Sequence, residues 1–224
     1  MKNRLIISIQ DEIGEVLIMN KIIAVFLVAL CMTVCVTAYS DGVQADLQDN
    51  LIRLHIIADS DDDNDQAVKL KVRDAILKNV GDRLSKTDKN ECRDEIINDL
   101  NEFEDIANDV LRENGFSYTA HAEYGKFEFP EKTYKSMILP AGEYYGVRIV
   151  LGSGEGHNWW CVMYPPLCFK EGEEVRLSKE SEKILREKLD KDTYDIITKN
   201  DKEVVVKFKL VEIVQEIKQK INGD

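Results

Sequence analysis

Hydrophobic and polar positions change period several times along the chain, and each change marks an element. Residues 22–37 form an uncharged, mostly aliphatic run. Residues 51–58, LIRLHIIA, are apolar and β-branched, with Arg53 and His55 on alternate positions, which predicts a strand. Val68, Val72, Ala75, Ile76 and Val80 recur at helical spacing with lysines and arginines outside, predicting a helix over 65–80 that Gly81 ends. A second helix over 89–113 carries Ile96, Leu100, Phe103, Ala107, Val110 and Leu111 on one stripe, and Asn114-Gly115 stops it. From 116 to 124 the period drops to two: Phe116, Tyr118, Ala120, Ala122 and Tyr124 share a face, with His121 on the polar one. Gly125-Lys126 predicts a turn, and Phe127-Glu128-Phe129 a short return strand ended by Pro130.

The stretch from 142 to 169 is the densest in the chain. Residues 144–151 and 158–164 read as two strands, separated by Gly152-Ser153-Gly154-Glu155-Gly156 and closed by Pro165-Pro166. The simplest reading is a hairpin that supplies the core of the sheet. A sharper one is a glycine loop that holds a ligand, with His157 and Cys161 beside it. The tail predicts helices over 178–188 and 203–221, the latter turning Val204, Phe208, Val211, Val214, Ile217 and Ile221 inward, although Val204 to Phe208 also fits a strand.

This order lacks the strict alternation of a doubly wound fold. It predicts an α+β single domain over 51–224, with a mainly antiparallel sheet and helices packed on one face. Residues 39–50 are polar and read as a linker. Residues 1–38 read as a signal peptide or N-terminal membrane anchor, because the apolar run follows Lys21 and ends at the small-residue pattern Val36-Thr37-Ala38. Asp11, Glu12 and Glu15 are foreign to the basic region of a leader, so Met19 is the expected true start. Leu30 and Val34 precede Cys31 and Cys35 where a lipoprotein signal wants glycine or alanine.

Charge narrows the partners. The net charge is −12, and it stays there without residues 1–38, which hold three bases and three acids. An acidic chain with no basic cluster is repelled by phosphate backbones, so nucleic acid is excluded as a partner, and a membrane is reached only through the leader if it is uncleaved. Outside the cytoplasm a Cys161–Cys168 bridge is permitted, leaving Cys92 as the odd thiol. No cysteine spacing suits zinc, and no cofactor motif is present: Gly152, Gly154 and Gly156 match part of the dinucleotide pattern, but no helix follows them. The acidic run 59–65 lacks the glycine and terminal glutamate of a calcium loop and suits a helix start instead.

Catalytic chemistry is thin. A thiol dyad of Cys161 with His157 or His55 is one candidate, for a secreted cell-wall or peptide hydrolase, although a bridge to Cys168 competes for the same thiol, and a glycosidase's paired carboxylates stay open among so many acids. A binding module has more support, because adjacent Trp159 and Trp160 point to opposite faces of a strand, so that one fills the core while the other serves as a surface anchor.

Two motifs carry a family resemblance. Leu51-Ile52-Arg53-Leu54-His55-Ile56-Ile57-Ala58-Asp59-Ser60, followed by Asp65-Gln66, Lys69-Leu70-Lys71 and Val72-Arg73-Asp74, is the first. Asn158-Trp159-Trp160-Cys161-Val162 with Pro165-Pro166-Leu167-Cys168 is the second, and Leu139-Pro140-Ala141-Gly142-Glu143-Tyr144 lies between them. Together they resemble the stage II sporulation protein R family, with Asp59 standing where the pattern expects Asn. The resemblance implies a signalling protein and no enzyme. Such a protein is exported from the forespore to the space between forespore and mother-cell membranes. There it activates a membrane-embedded mother-cell protease, which then cleaves the pro-form of a sigma factor. The expected contact residues toward the extracytoplasmic part of that protease are Arg53, His55, Asp59, Ser60, His157, Asn158, Trp159 and Trp160. Asp65 and Arg73 are placed to buttress the first strand from its helix.

Overall fold

A computed structural model describes residues 2–84, 88–134, 137–167, 179–198 and 202–222. Helix α1 runs Lys2–Asn50 and leads into strand β1, Ile52–Ile57. Helices α2 (Asp63–Leu84), α3 (Lys89–Asn98) and α4 (Leu100–Glu113) follow, then strands β2 (Ala120–Phe129), β3 (Lys132–Tyr134), β4 (Met137–Leu139), β5 (Gly142–Leu151) and β6 (Asn158–Tyr164). Helices α5 (Lys179–Lys188), α6 (Lys191–Thr198) and α7 (Lys202–Asn222) complete the order.

The α+β class holds, but the sheet is mixed. Four strands lie in the order β2-β5-β1-β6, while β3 and β4 form a separate pair. β1 runs parallel to β5 and antiparallel to β6. The hairpin expected from β5 and β6 is therefore not formed, because β1 lies between them. Neighbouring strands sit roughly 4.8 Å apart, so this link must bridge about 10 Å, which a tight two-residue turn cannot do. Residues 152–157 cross the end of β1 instead.

Alternation along β1 splits the core in two. Ile52, Leu54 and Ile56 meet Val68, Val72 and Ile76 of α2, Ile96 of α3, and Phe103 and Ala107 of α4. The opposite face, through Phe129, Tyr144 and Val162, meets Val43 and Leu47 of α1, Leu185 of α5, Ile196 of α6 and Val211 of α7. Helices thus cover both faces of the sheet, not one. Residues 39–50, expected as a linker, are helical and packed: Ser40, Val43 and Leu47 are buried. Their short polar stretch hides an apolar i, i+4 pair that serves this second core.

Smaller departures have local causes. The expected 89–113 helix breaks at Asp99 (φ −102°, ψ 13°), and Ile96 and Phe103 on either side of the break enter the same core. Helix α2 continues past Gly81. Gly125-Lys126 does not turn the chain, since both residues pair with Gly146 and Tyr145 inside one long β2–β5 ladder. β2 begins at Ala120, later than the pattern suggested, and its outer edge is capped by α4. There the N–H of Ala120 donates to Asn108 Oδ1 (2.8 Å) and that of Ala122 to Glu104 Oε1 (2.8 Å), which blunts an edge open to foreign strands.

Candidate functional site

The end of β1 and the β5–β6 connection form one surface. β1 and β5 run parallel, so both arrive at the same edge of the sheet, Ile57 opposite Val150. The connection then lies across the outgoing β1 backbone: the N–H of Gly156 donates to the Ala58 carbonyl (3.0 Å) and that of Glu155 to the Asp59 carbonyl (3.1 Å). The Asp59 side chain accepts the Ser153 N–H at 2.5 Å, and Ser153 Oγ donates to the Asp59 carbonyl at 2.9 Å. These contacts explain the glycines. Gly152 sits at φ +57°, and a Cβ there would overlap the Asp59 carboxylate, while one on Gly156 would overlap the Ser60 carbonyl. The glycine loop is a clamp on β1, and among the described residues it encloses no ligand cradle.

Helix α2 fastens the same surface from below. Tyr118 donates to Asp65 Oδ1 (2.7 Å) and Ser60 Oγ donates to Asp65 Oδ2; these hydrogen bonds hold the Asp65 carboxyl below the usual carboxylate range. Gln66 Nε2 donates to the Ser60 carbonyl (2.9 Å). Lys69, buried and lowered in pKa chiefly by that burial, donates to the His157 carbonyl (2.8 Å) and to Gln66 Oε1 (2.6 Å). Asp61 receives both the backbone N–H of His157 (2.7 Å) and its imidazole Nδ1, and those bonds lower its pKa. Asp65 therefore does buttress the strand end. Arg73 instead pairs with Asp74 and lies over the Trp159 ring of β6 (5.2 Å to its centre).

The predicted contact residues separate into two groups. Asp59, Ser60 and His157 reach this surface, and His157 is the most open, with its side chain 80% exposed; Asn158 instead buries its Oδ1 and turns its side chain toward His55. Arg53 and His55 do not: they are 0% and 4% exposed and point into the second core, so neither can touch a partner directly. The Arg53 guanidinium stacks on Phe129 (4.2 Å) and Tyr144 (4.8 Å), beside the Tyr134 hydroxyl. His55 stacks flat on Trp160 (4.7 Å between ring centres) and against Phe127 and Phe129. Burial, then the positive charges of Arg148 and Arg53, pull its pKa down to about 4, so the ring is neutral at pH 7. Trp159 and Trp160 do face opposite sides, one toward each core, but both are half-buried, and neither stands out as a free surface anchor.

The hydrolase dyad is not assembled. Cys161 pairs with Leu54 and His55 with Trp160, so Cys161 and His55 project from opposite faces of the sheet. His157 precedes Cys161 by four residues along β6, roughly 13 Å at 3.3 Å per residue. Cys161 is moreover disulfide-bonded, whereas Cys31, Cys35 and Cys92 are thiols; Cys168, its expected partner, lies outside the described residues. The acidic run places no group of three or more potential ligands for a metal among the described residues. The carboxylates of Asp59, Asp61 and Asp65 accept protein hydrogen bonds instead. The bonds from Tyr118 and Lys69 are the part that sequence reasoning missed. A lysine on a helix otherwise flanked by bases carries no mark of burial until the loop above it is placed.

The comparisons fit this picture. A family model described as stage II sporulation protein R matches residues 48–174, from the end of α1 through β6 and beyond. The chain is also 36% identical over 185 residues to the stage II sporulation protein R of Bacillus subtilis (strain 168), covering 76% of this chain and 83% of the relative. No solved structure matches the chain. With both signature stretches inside the matched region, the chain belongs to the stage II sporulation protein R family.

Proposed function

We propose that the chain is an exported sporulation signal that works by contact. It binds the extracytoplasmic part of a membrane-embedded mother-cell protease and favours its active state, and the protease then processes the pro-form of a mother-cell sigma factor. Family membership supports the sporulation role. Export is supported by the apolar stretch of α1, which is long and apolar enough to cross a membrane and serves as a signal peptide or an anchor.

The observation that carries the contact reading is the clamp. Two loops far apart in sequence are locked into one exposed surface by Asp59, Ser60, Asp61 and Lys69. A surface held rigid before binding loses little conformational freedom on binding. It is also acidic, through Asp61, Asp62, Asp63 and Glu155, all exposed, which suits a partner patch bearing lysine or arginine. A ligand of this kind activates only by binding the active state more tightly than the inactive one. Arg53 and His55 serve it from beneath, by fixing the β1 and β6 backbones. The test is co-purification of the protease with the full chain carrying His157→Ala or Glu155→Ala. Both side chains are exposed, and His157→Ala gives up the imidazole's bond to Asp61 but keeps the backbone N–H bond to it, so the sheet stays folded while capture of the protease falls; capture equal to that of the unsubstituted chain by both variants would sink the assignment of this surface.

A further inference from the structure

Helix α7 leaves one face uncovered. Leu210, Ile213, Ile217 and Ile221 are 38%, 51%, 52% and 70% exposed, although the pattern of the helix predicted Ile217 and Ile221 inward. At 100° per residue these four fall within about an 80° arc, a single apolar stripe. The neighbouring face, through Val211, Gln215 and Lys218, is the one that packs: Gln215 Nε2 donates to Ser40 Oγ (3.0 Å), Ser40 Oγ to the Val211 carbonyl (3.4 Å), and Lys218 pairs with Asp41.

The position of that joint identifies what covers the stripe. In α1 the apolar run ends at Thr37-Ala38, and its large residues from Leu17 to Val34 are exposed. Ser40 and Asp41 follow Ala38 by two and three residues, about 3–5 Å along a helix. The head-group layer of a bilayer is roughly 5–8 Å deep on each side. With the apolar run in the hydrocarbon, α7 therefore meets α1 at head-group depth. An amphipathic helix at that depth with an open aliphatic stripe has the form of an interfacial helix. Lys209 and Lys220 flank the stripe on one side, where long aliphatic stems can lie along lipid and keep their ammonium groups in water.

We infer that the Leu210-Ile213-Ile217-Ile221 face of α7 lies in the phospholipid interface beside the exit of α1 and seats the domain against the membrane. This rests on α1 entering the bilayer. Neither a second copy nor a protein partner is needed to cover the stripe.

The test uses the full chain in vesicles of phosphatidylethanolamine and phosphatidylglycerol. A benzophenone amino acid is placed singly at Phe26 in the apolar run, at Ile217 on the stripe, and at Ile97, an equally open apolar position (45% exposed) on α3 across the sheet. After irradiation, lipid adducts are expected at Phe26 and Ile217, with several-fold fewer at Ile97. Adducts at Phe26 but none at Ile217, or equal adducts at Ile217 and Ile97, overturn the lipid seat while leaving α1 in the membrane. Crosslinks from Ile217 to a second copy overturn it in favour of self-association. No adduct at either Phe26 or Ile217 overturns both the seat and the membrane reading of α1.

Discussion

The Asp59 carboxylate accepts the backbone N–H of Ser153 at 2.5 Å, joining residues 94 positions apart. It needs only an acceptor. Asp59→Asn keeps a carbonyl oxygen there and is expected to cost little. Asp59→Ala leaves the Ser153 N–H without its partner and costs about 1–2 kcal/mol. Urea denaturation of the two variants side by side checks this ordering.

Gly156→Ala is more damaging, because the added methyl meets the backbone carbonyl of Ser60, a group that cannot rotate away. The loop must lift off β1 and lose the Gly156–Ala58 hydrogen bond, at a cost of about 2 kcal/mol or more. Amide exchange should speed up at residues 152–157 in this variant before it does in the sheet; uniform acceleration throughout would contradict a local clamp.

The buried imidazole sets a pH dependence. His55 has its pKa lowered from 6.5 to about 4, so the unfolded chain binds the extra proton between those values. The stabilisation from keeping it neutral is fully present above about pH 6.5 and is lost as pH falls toward 4, amounting to roughly 3 kcal/mol by the conversion of about 1.4 kcal/mol per pKa unit. Unfolding free energy measured from pH 7 to pH 4.5 should therefore drop more steeply in the unsubstituted chain than in His55→Phe. Parallel profiles would place the titrating group elsewhere.

Cys161 is part of a disulfide and faces away from His55. Cys161→Ser is expected to lower the melting temperature under oxidising conditions, with a loss of about 2 kcal/mol or more, and to match the unsubstituted chain under strong reductant. Signalling should follow the folded fraction. Activity abolished in a fully folded Cys161→Ser chain would restore the thiol-enzyme reading.

Much of this arrangement could be read from local pattern. The Val68-Val72-Ile76 stripe needs only helical period, and the α+β class needs only the order of elements. Asp65 as a buttress follows from its place at the helix start. What local pattern lacks is pairing across distance. Two strands around a glycine loop look like a hairpin whether or not a third strand enters between them, so the place of β1 in the sheet was not legible. For the same reason Arg53 and His55 read as contact residues, when α1 and α5–α7 cover the face from which they project. Residues 39–50 look like a linker because Val43 and Leu47, their buried apolar pair, stand among polar neighbours. Spacing alone assigns Ile217 and Ile221 to the core, because it finds an apolar face but does not say what covers it.

The central claim is activation by contact, and dose measures it most directly. The full chain, reconstituted in vesicles beside the mother-cell protease and its pro-sigma substrate, would be titrated while cleavage is followed. Cleavage that rises with the chain and levels off near equimolar protease, and that weakens in His157→Ala, is the predicted result. Full cleavage driven by catalytic traces of the chain, or cleavage indifferent to its presence, would contradict it.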